Sequence, residues 1–119
     1  MPFIHIYSSV PKAGIDTAKT IKEFSSTLAA TLERPEAFVM AKLSLDQTIL
    51  FGGSGTPSAY VQVRCIGQIS KEHNTKSVQV LTTKVTELLG VPAERVFVIF
   101  EDIPAVNWGM SAVTMDTLL

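Results

Sequence analysis

A shift of 57 residues lays the second half of this chain over the first. It carries Phe3 to Tyr60, Ile4 to Val61 and Ile6 to Val63. It also carries Lys19 to Lys76, Ile21 to Val78, Phe24 to Leu81, Pro35 to Pro92 and Val39 to Val96. One shift that aligns a β-rich alternation, an apolar helical stripe, a proline stop and a further strand argues for an internal duplication. The pseudo-repeats are 1–57 and 58–119, within one domain over 1–119.

Each repeat reads strand, helix, strand. Phe3-Ile4-His5-Ile6-Tyr7 alternates as a half-buried strand does. Ala18, Ile21, Phe24, Leu28 and Leu32 recur at threes and fours, with Asp16 as N-cap and Pro35 as stop. The run Phe38 to Leu43 predicts a second, largely buried strand. In the second repeat, Tyr60 to Arg64 is the first strand and Val96 to Phe100 the last. Val78, Leu81, Val85 and Leu88 give the helical stripe, ended by Gly90 and Pro92. A strand–helix–strand unit makes a parallel, right-handed crossover. Two such units predict an α+β fold: a four-stranded mixed sheet with two helices on one face. The other face then carries Phe3 or Ile4, and Val61 or Val63, depending on the pleat. An apolar open face calls for burial, which a symmetric oligomer supplies.

The connector from Ile49 to Pro57 is glycine-rich but matches neither GxxxxGK[ST] nor GxGxxG, so it is a tight link rather than a phosphate cradle. The tail from Asn107 contains Trp108-Gly109-Met110 and ends apolar, as a segment does that packs on a neighbour or closes a pocket.

Hydrophobic residues make up 46% of the 119 and charged residues 18%, with a net charge of -1. That balance excludes the basic footprint of a nucleic-acid binder and the polybasic patch of a membrane binder. Apolar runs are too short to span a bilayer. Cys65 is alone, so neither a disulfide framework nor a cysteine metal site is expected. With no charged n-region ahead of an apolar h-region, the expected location is cytoplasmic, or outside the cell by a non-classical route.

Pro2 is the residue with the most distinctive chemistry. Removal of Met1 leaves it a terminal secondary amine, with a reference pKa of about 7.7–8.0 for an α-amino group. Apolar burial and a nearby cation lower that value and suit the amine to act as a base. The other titratable residues offer less. His5 and His73 lack a carboxylate at a telling spacing, and Glu101-Asp102 reads as a solvated loop after the last strand. Cys65 reads as a buried inert thiol.

The pattern Met1-Pro2-Phe3-Ile4, Val10-Pro11, Arg34-Pro35-Glu36, Phe51-Gly52-Gly53-Ser54, Ile66-Gly67, Glu94-Arg95-Val96 and Trp108-Gly109 resembles the macrophage migration inhibitory factor family, of which D-dopachrome tautomerase is a branch. The resemblance covers essentially the whole chain. It implies a homotrimer in which three sheets line a central barrel and the tail strand pairs with an adjacent subunit. It implies keto–enol tautomerisation of aromatic α-keto acids such as phenylpyruvate, or of dopachrome-type compounds, without metal or cofactor. The pocket would lie between subunits. Pro2 would be the catalytic base, Arg34 the carboxylate clamp in place of the family's lysine, and the backbone N–H of Ile66 a further donor. Phe97, Trp108 and Phe38 would form aromatic walls that Met110 joins, and Phe3 completes the substrate-binding set. The best-known branch has tyrosine where Phe97 stands and asparagine where Ile99 stands, so turnover is expected to be weaker or the substrate different. Apolar Phe97 and Ile99 also count against water-activating decarboxylase or dehalogenase chemistry. The CxxC of that branch is missing at Pro57 to Tyr60, which removes a thiol–disulfide oxidoreductase role. The alternative function is that of a cytokine-like protein binding a cell-surface receptor, with a vestigial pocket.

Overall fold

The structure is a computed structural model that describes residues 1–118. Strand β1 (Pro2–Ser8) leads into helix α1 (Thr17–Leu32) and strand β2 (Met40–Ser44). Strand β3 (Ala59–Cys65), helix α2 (Lys71–Leu89) and strand β4 (Val96–Asp102) repeat the unit. The strand order is β2-β1-β3-β4. β1 runs parallel to β2 and β3 parallel to β4, while β1 and β3 are antiparallel at the centre. The sheet is therefore mixed, and a pseudo-twofold axis passes between the repeats. The sequence duplication survives in detail: β1 plus 57 gives the bounds of β3.

The helices start and stop where their caps say they should. Asp16 Oδ1 accepts from the Lys19 N–H at 3.1 Å, and Ser70 Oγ accepts from the His73 N–H at 3.2 Å. Gly90, at φ 72°, ends α2 in the left-handed conformation. The buried stripe differs from the expected one. Thr20, Phe24, Leu28 and Leu32 are buried on α1, with Ala29 beside them, and Ser77, Leu81, Val85 and Leu89 on α2, the two sets of four a shift of 57 apart. Ala18 and Val78 are exposed and Ile21 only half-buried. The buried line advances in four-residue steps, so a three-residue step turns Ile21 and Val78 off to the rim.

The pleat settles which residues face the helices. Ile4, Ile6, Val61, Val63 and Cys65 lie beneath them with no exposure. Phe3, His5 and Tyr7 therefore point to the open face with Tyr60, Gln62 and Arg64. The run Phe38 to Leu43 is less buried than expected. Phe38 sits in a 3-10 turn, and Met40 is 66% exposed. An apolar run in a strand points to both faces, and the helices cover only one. On β4 the same holds for Phe97 and Ile99, which are 59% and 43% exposed. The glycine-rich connector is a tight turn closed by mutual Phe51–Ser54 backbone bonds of 3.0 Å. No helix among the described residues is long and apolar enough to cross a membrane.

Candidate active site

Pro2 opens β1 opposite Cys65, at the end of the sheet where α1 also finishes. A proline without an N–H is tolerated at the first position of a strand. Its side chain is fully buried. While Met1 is attached, the Pro2 nitrogen is an amide with no basic lone pair. Met1 lies in the site, and its carbonyl accepts from the Ile66 N–H at 3.4 Å.

Arg34 arrives by a helix-ending turn. Glu33 takes a left-handed conformation, φ 53°, and the Arg34 N–H returns to the Ala29 carbonyl at 3.0 Å. Pro35 prevents the helix from resuming. The guanidinium reaches Gly67, where an added Cβ would stand 3.4 Å from Arg34 Nη2. Among the described residues Arg34 has no ion-pair partner. The Cys65 thiol lies near it. Burial pushes that thiol's pKa up, against the opposing pull of the chain's terminal amine and of Arg34. The thiol is thus held protonated and inert, in line with the sequence.

Met1 and Arg34 border a cavity of about 480 Å³. Its walls are Phe38 and Pro35 from the turn after α1, Ile66 from the end of β3, and Met110, Met115 and Leu118 from the tail. The tail therefore closes a pocket, one of the two roles its apolar sequence allowed. It does so through a small hairpin, β5 (Gly109–Met110) with β6 (Val113–Thr114), turned at Ser111 and Ala112 with φ 56° and 66°. The Met115 N–H then binds the Trp108 carbonyl at 2.8 Å and the thioether is buried. The size suits a small aromatic ligand. Flexible thioethers adapt to irregular apolar groups.

Not every expected residue meets there. Arg34, Ile66 and Phe38 share the cavity and Met110 joins them, while Pro2 is buried behind Met1 and does not itself line it. Phe3 and Trp108 border a different hollow of about 460 Å³, with Arg64 and Glu101. Phe97 lies on the open face, its ring 4.7 Å from Phe51. Within one chain these three aromatics do not line the Pro2 pocket. The sequence carried no periodic signal for Met115 or Leu118, because a two-residue hairpin leaves none.

Glu101 and Asp102 are not a solvated loop. They close β4, and each has a partner. Glu101 Oε1 accepts from Arg64 Nε at 3.2 Å and Gln62 Nε2 at 2.8 Å, while Asp102 Oδ1 accepts from the Gly67 N–H at 3.1 Å. The parallel β3–β4 register holds them opposite Arg64 and Cys65. His5 donates to or accepts from Ser44 Oγ at 2.8 Å and stacks on Tyr7 at 3.7 Å, and it lines neither hollow. Among the described residues no three His, Cys, Asp or Glu side chains stand close enough to hold a metal ion.

Comparison with known proteins agrees in sequence and in shape. The profile of the family described as macrophage migration inhibitory factor matches residues 1–116. A macrophage migration inhibitory factor homolog of Trichuris trichiura is 28% identical over 114 residues, 96% of this chain and 99% of that protein. The macrophage migration inhibitory factor of Rattus norvegicus is 25% identical, over 96% of this chain and 98% of its own. The crystal structure of a homologue from Prochlorococcus marinus superimposes with a TM-score of 0.91 at 34% identity, covering 95% of this chain and 98% of that one.

Proposed function

The chain belongs to the macrophage migration inhibitory factor family, and from that premise we propose that it is a keto–enol tautomerase whose base is the Pro2 amine, freed by removal of Met1. The observation that carries this reading is a convergence. One apolar cavity is lined by Met1, whose removal would free the Pro2 amine, by Arg34, which has no ion-pair partner among the described residues, and by Ile66, whose N–H has the Met1 carbonyl as its present acceptor.

The chemistry follows from those groups. An aromatic α-keto acid of the phenylpyruvate type, or a dopachrome-type compound, places its carboxylate on Arg34. A guanidinium offers a carboxylate two parallel donors and a permanent charge. The Ile66 N–H takes a second oxygen, and the ring lies among Phe38, Met110 and Met115. The neutral Pro2 amine then removes the proton from the carbon next to the ketone. Electrons of the breaking C–H bond form the enol double bond, and a proton passes to the oxygen. The reverse transfer regenerates the keto form, so no redox partner is needed. Burial and the neighbouring cation keep the amine neutral near physiological pH.

Exposed Met40, Phe97 and Ile99 support a homotrimer that covers the open face. In that assembly a neighbour's Phe97 and Ile99 would complete the pocket wall. Neither can hydrogen-bond a ring hydroxyl, which favours substrates with an unadorned ring.

The test uses protein whose intact mass proves that Met1 is absent. It should tautomerise phenylpyruvate, and Pro2→Gly, equally processed, should lose about 10²- to 10⁴-fold, the usual range for a general base. Equal rates in the two proteins, or none in either, would refute the proposal.

A further inference from the structure

The turn after β3 is tied down at three points, and each tie bears on the pocket. Gly67, in the left-handed region at φ 79°, donates its N–H to Asp102 Oδ1 at 3.1 Å. Gln68, also left-handed at φ 61°, donates from Nε2 to the Leu32 carbonyl at 2.9 Å. Ile66 donates to Met1. Asp102 belongs to the rigid sheet. It pairs in register with Cys65, and the Ile103 N–H extends that ladder to the Cys65 carbonyl at 2.9 Å. Leu32 is the last residue of α1, two before Arg34. The turn thus straps the end of β3 to the end of α1, and Arg34 rests against it.

Two details suggest a purpose beyond packing. Gly67 has no Cβ, and the guanidinium of Arg34 comes close to the space one would fill. A carboxylate stands nearby without capturing that guanidinium. No Arg34–Asp102 ion pair forms within 4.0 Å among the described residues, and Asp102 Oδ1 instead accepts from the Gly67 N–H. Gly67 takes its left-handed conformation freely, but Gln68 is held in it against ordinary backbone preference, and such strain persists only when its surroundings over-determine it.

We propose that Asp102 and Gln68 are positioning residues, holding the Ile66–Gln68 turn so that Gly67 seats the Arg34 guanidinium and the Ile66 N–H faces the pocket. This rests on the carboxylate-clamp reading of Arg34. Asp102 acts as an acceptor for one N–H rather than as a charge. Gln68 acts as a donor to one helix carbonyl. Neither touches the substrate.

The test separates this role from catalysis by using benzoylformate, an aryl keto acid with no hydrogen to enolise, beside phenylpyruvate. All proteins are Met1-free. In wild type, benzoylformate should shift the NMR signals of Arg34 Nε–H and the Ile66 amide. Asp102→Ala should weaken benzoylformate binding and raise KM for phenylpyruvate by about ten- to a hundredfold, the scale of a small misplacement, with kcat nearly unchanged. Asp102→Asn retains the acceptor oxygen and should restore both. Gln68→Met keeps the length but loses the donor, and carries the same prediction should Asp102→Ala not fold. Unchanged binding and KM in Asp102→Ala or in folded Gln68→Met would overturn the proposal, as would Asp102→Asn failing as badly as alanine. Wild-type protein that binds benzoylformate with both shifts but does not turn over phenylpyruvate would refute the tautomerase reading while leaving the positioning role supported by the binding series. Wild-type protein that does not bind benzoylformate would overturn the clamp and this inference with it.

Discussion

The two ends of the central strand pair were built from the same unit, and they have come to opposite uses. At one end stand Pro2, which starts β1, and Arg34, Phe38 and Ile66, which line a cavity. The shift of 57 takes the first three to Ala59, Val91 and Arg95, and takes Ser9 to Ile66. A ladder bond survives at both ends: Ser9 N–H to the Ser58 carbonyl at 3.2 Å, and Ile66 N–H to the Met1 carbonyl at 3.4 Å. The second end is filled. Val91 is wholly buried where Arg34 is half-buried and lines the cavity. Arg95 donates to the carbonyls of Phe51, Ser54, Thr56 and Pro57 at 3.0–3.3 Å, with its guanidinium carbon 5.1 Å from the centre of the Phe51 ring. One arginine has spent its donors on the chain's own carbonyls. Among the described residues the other donates from its side chain to no backbone carbonyl. The acceptor at the first end belongs to a terminal residue, so the bond that is permanent at Ser58 is conditional at Met1. A duplicated fold can thus close one end as frame and leave the other open as a pocket.

The sharpest way to break this comparison is to remove each arginine. Arg34→Ala should raise KM for phenylpyruvate about ten- to a hundredfold, matching a charged hydrogen bond worth about 1.5–3 kcal/mol, and leave the melting temperature nearly unchanged. Arg95→Ala should do the reverse, destabilising the fold by about 1–3 kcal/mol in denaturant titration while KM stays close to wild type. Arg95→Lys should not rescue it, because one ammonium cannot span four carbonyls. If both substitutions moved KM alike, the division between frame and site would be wrong.

A smaller effect separates the helix ends. Glu33 and Gly90 are equivalent, and both are left-handed. Gly90→Ala should cost about 1 kcal/mol, and Glu33→Gly should be neutral or slightly stabilising, as read from paired unfolding curves. Smaller still is the effect of His5, whose equivalent is Gln62. Burial first, then Lys42 and Arg64, hold the His5 pKa below its ordinary 6.5. The unfolded chain therefore binds the proton more readily. The stability this contributes is present above pH 6.5 and is lost as pH falls through the depressed folded value. His5→Gln should flatten that acid-side slope in thermal melts; an unchanged slope would assign it to other groups.

Much of this was legible in the residues. The repeat gave the strands and helices, because alternation and helical stripe are local patterns that a shift preserves. Asp16 and Gly90 announced their caps through their own chemistry. Arg34, Ile66 and Phe38 were placed together only by resemblance, since nothing in their spacing brings them to one cavity. Asp102 and Gln68 were not legible. Their roles come from a parallel register and a left-handed turn, which tertiary contacts fix and no local pattern encodes. Phe97 and Trp108 point away from Pro2 within one chain because strand pleat and tail hairpin direct them to other surfaces.

The central claim is that one end of the sheet is poised to present a neutral amine beside a cation. It is tested most directly by titrating the Pro2 nitrogen by ¹⁵N NMR in Met1-free protein, with Arg34→Ala alongside. The account predicts a Pro2 pKa below the reference range of about 7.7–8.0, rising when Arg34 is removed. A value at or above that range, unmoved by Arg34→Ala, would contradict it.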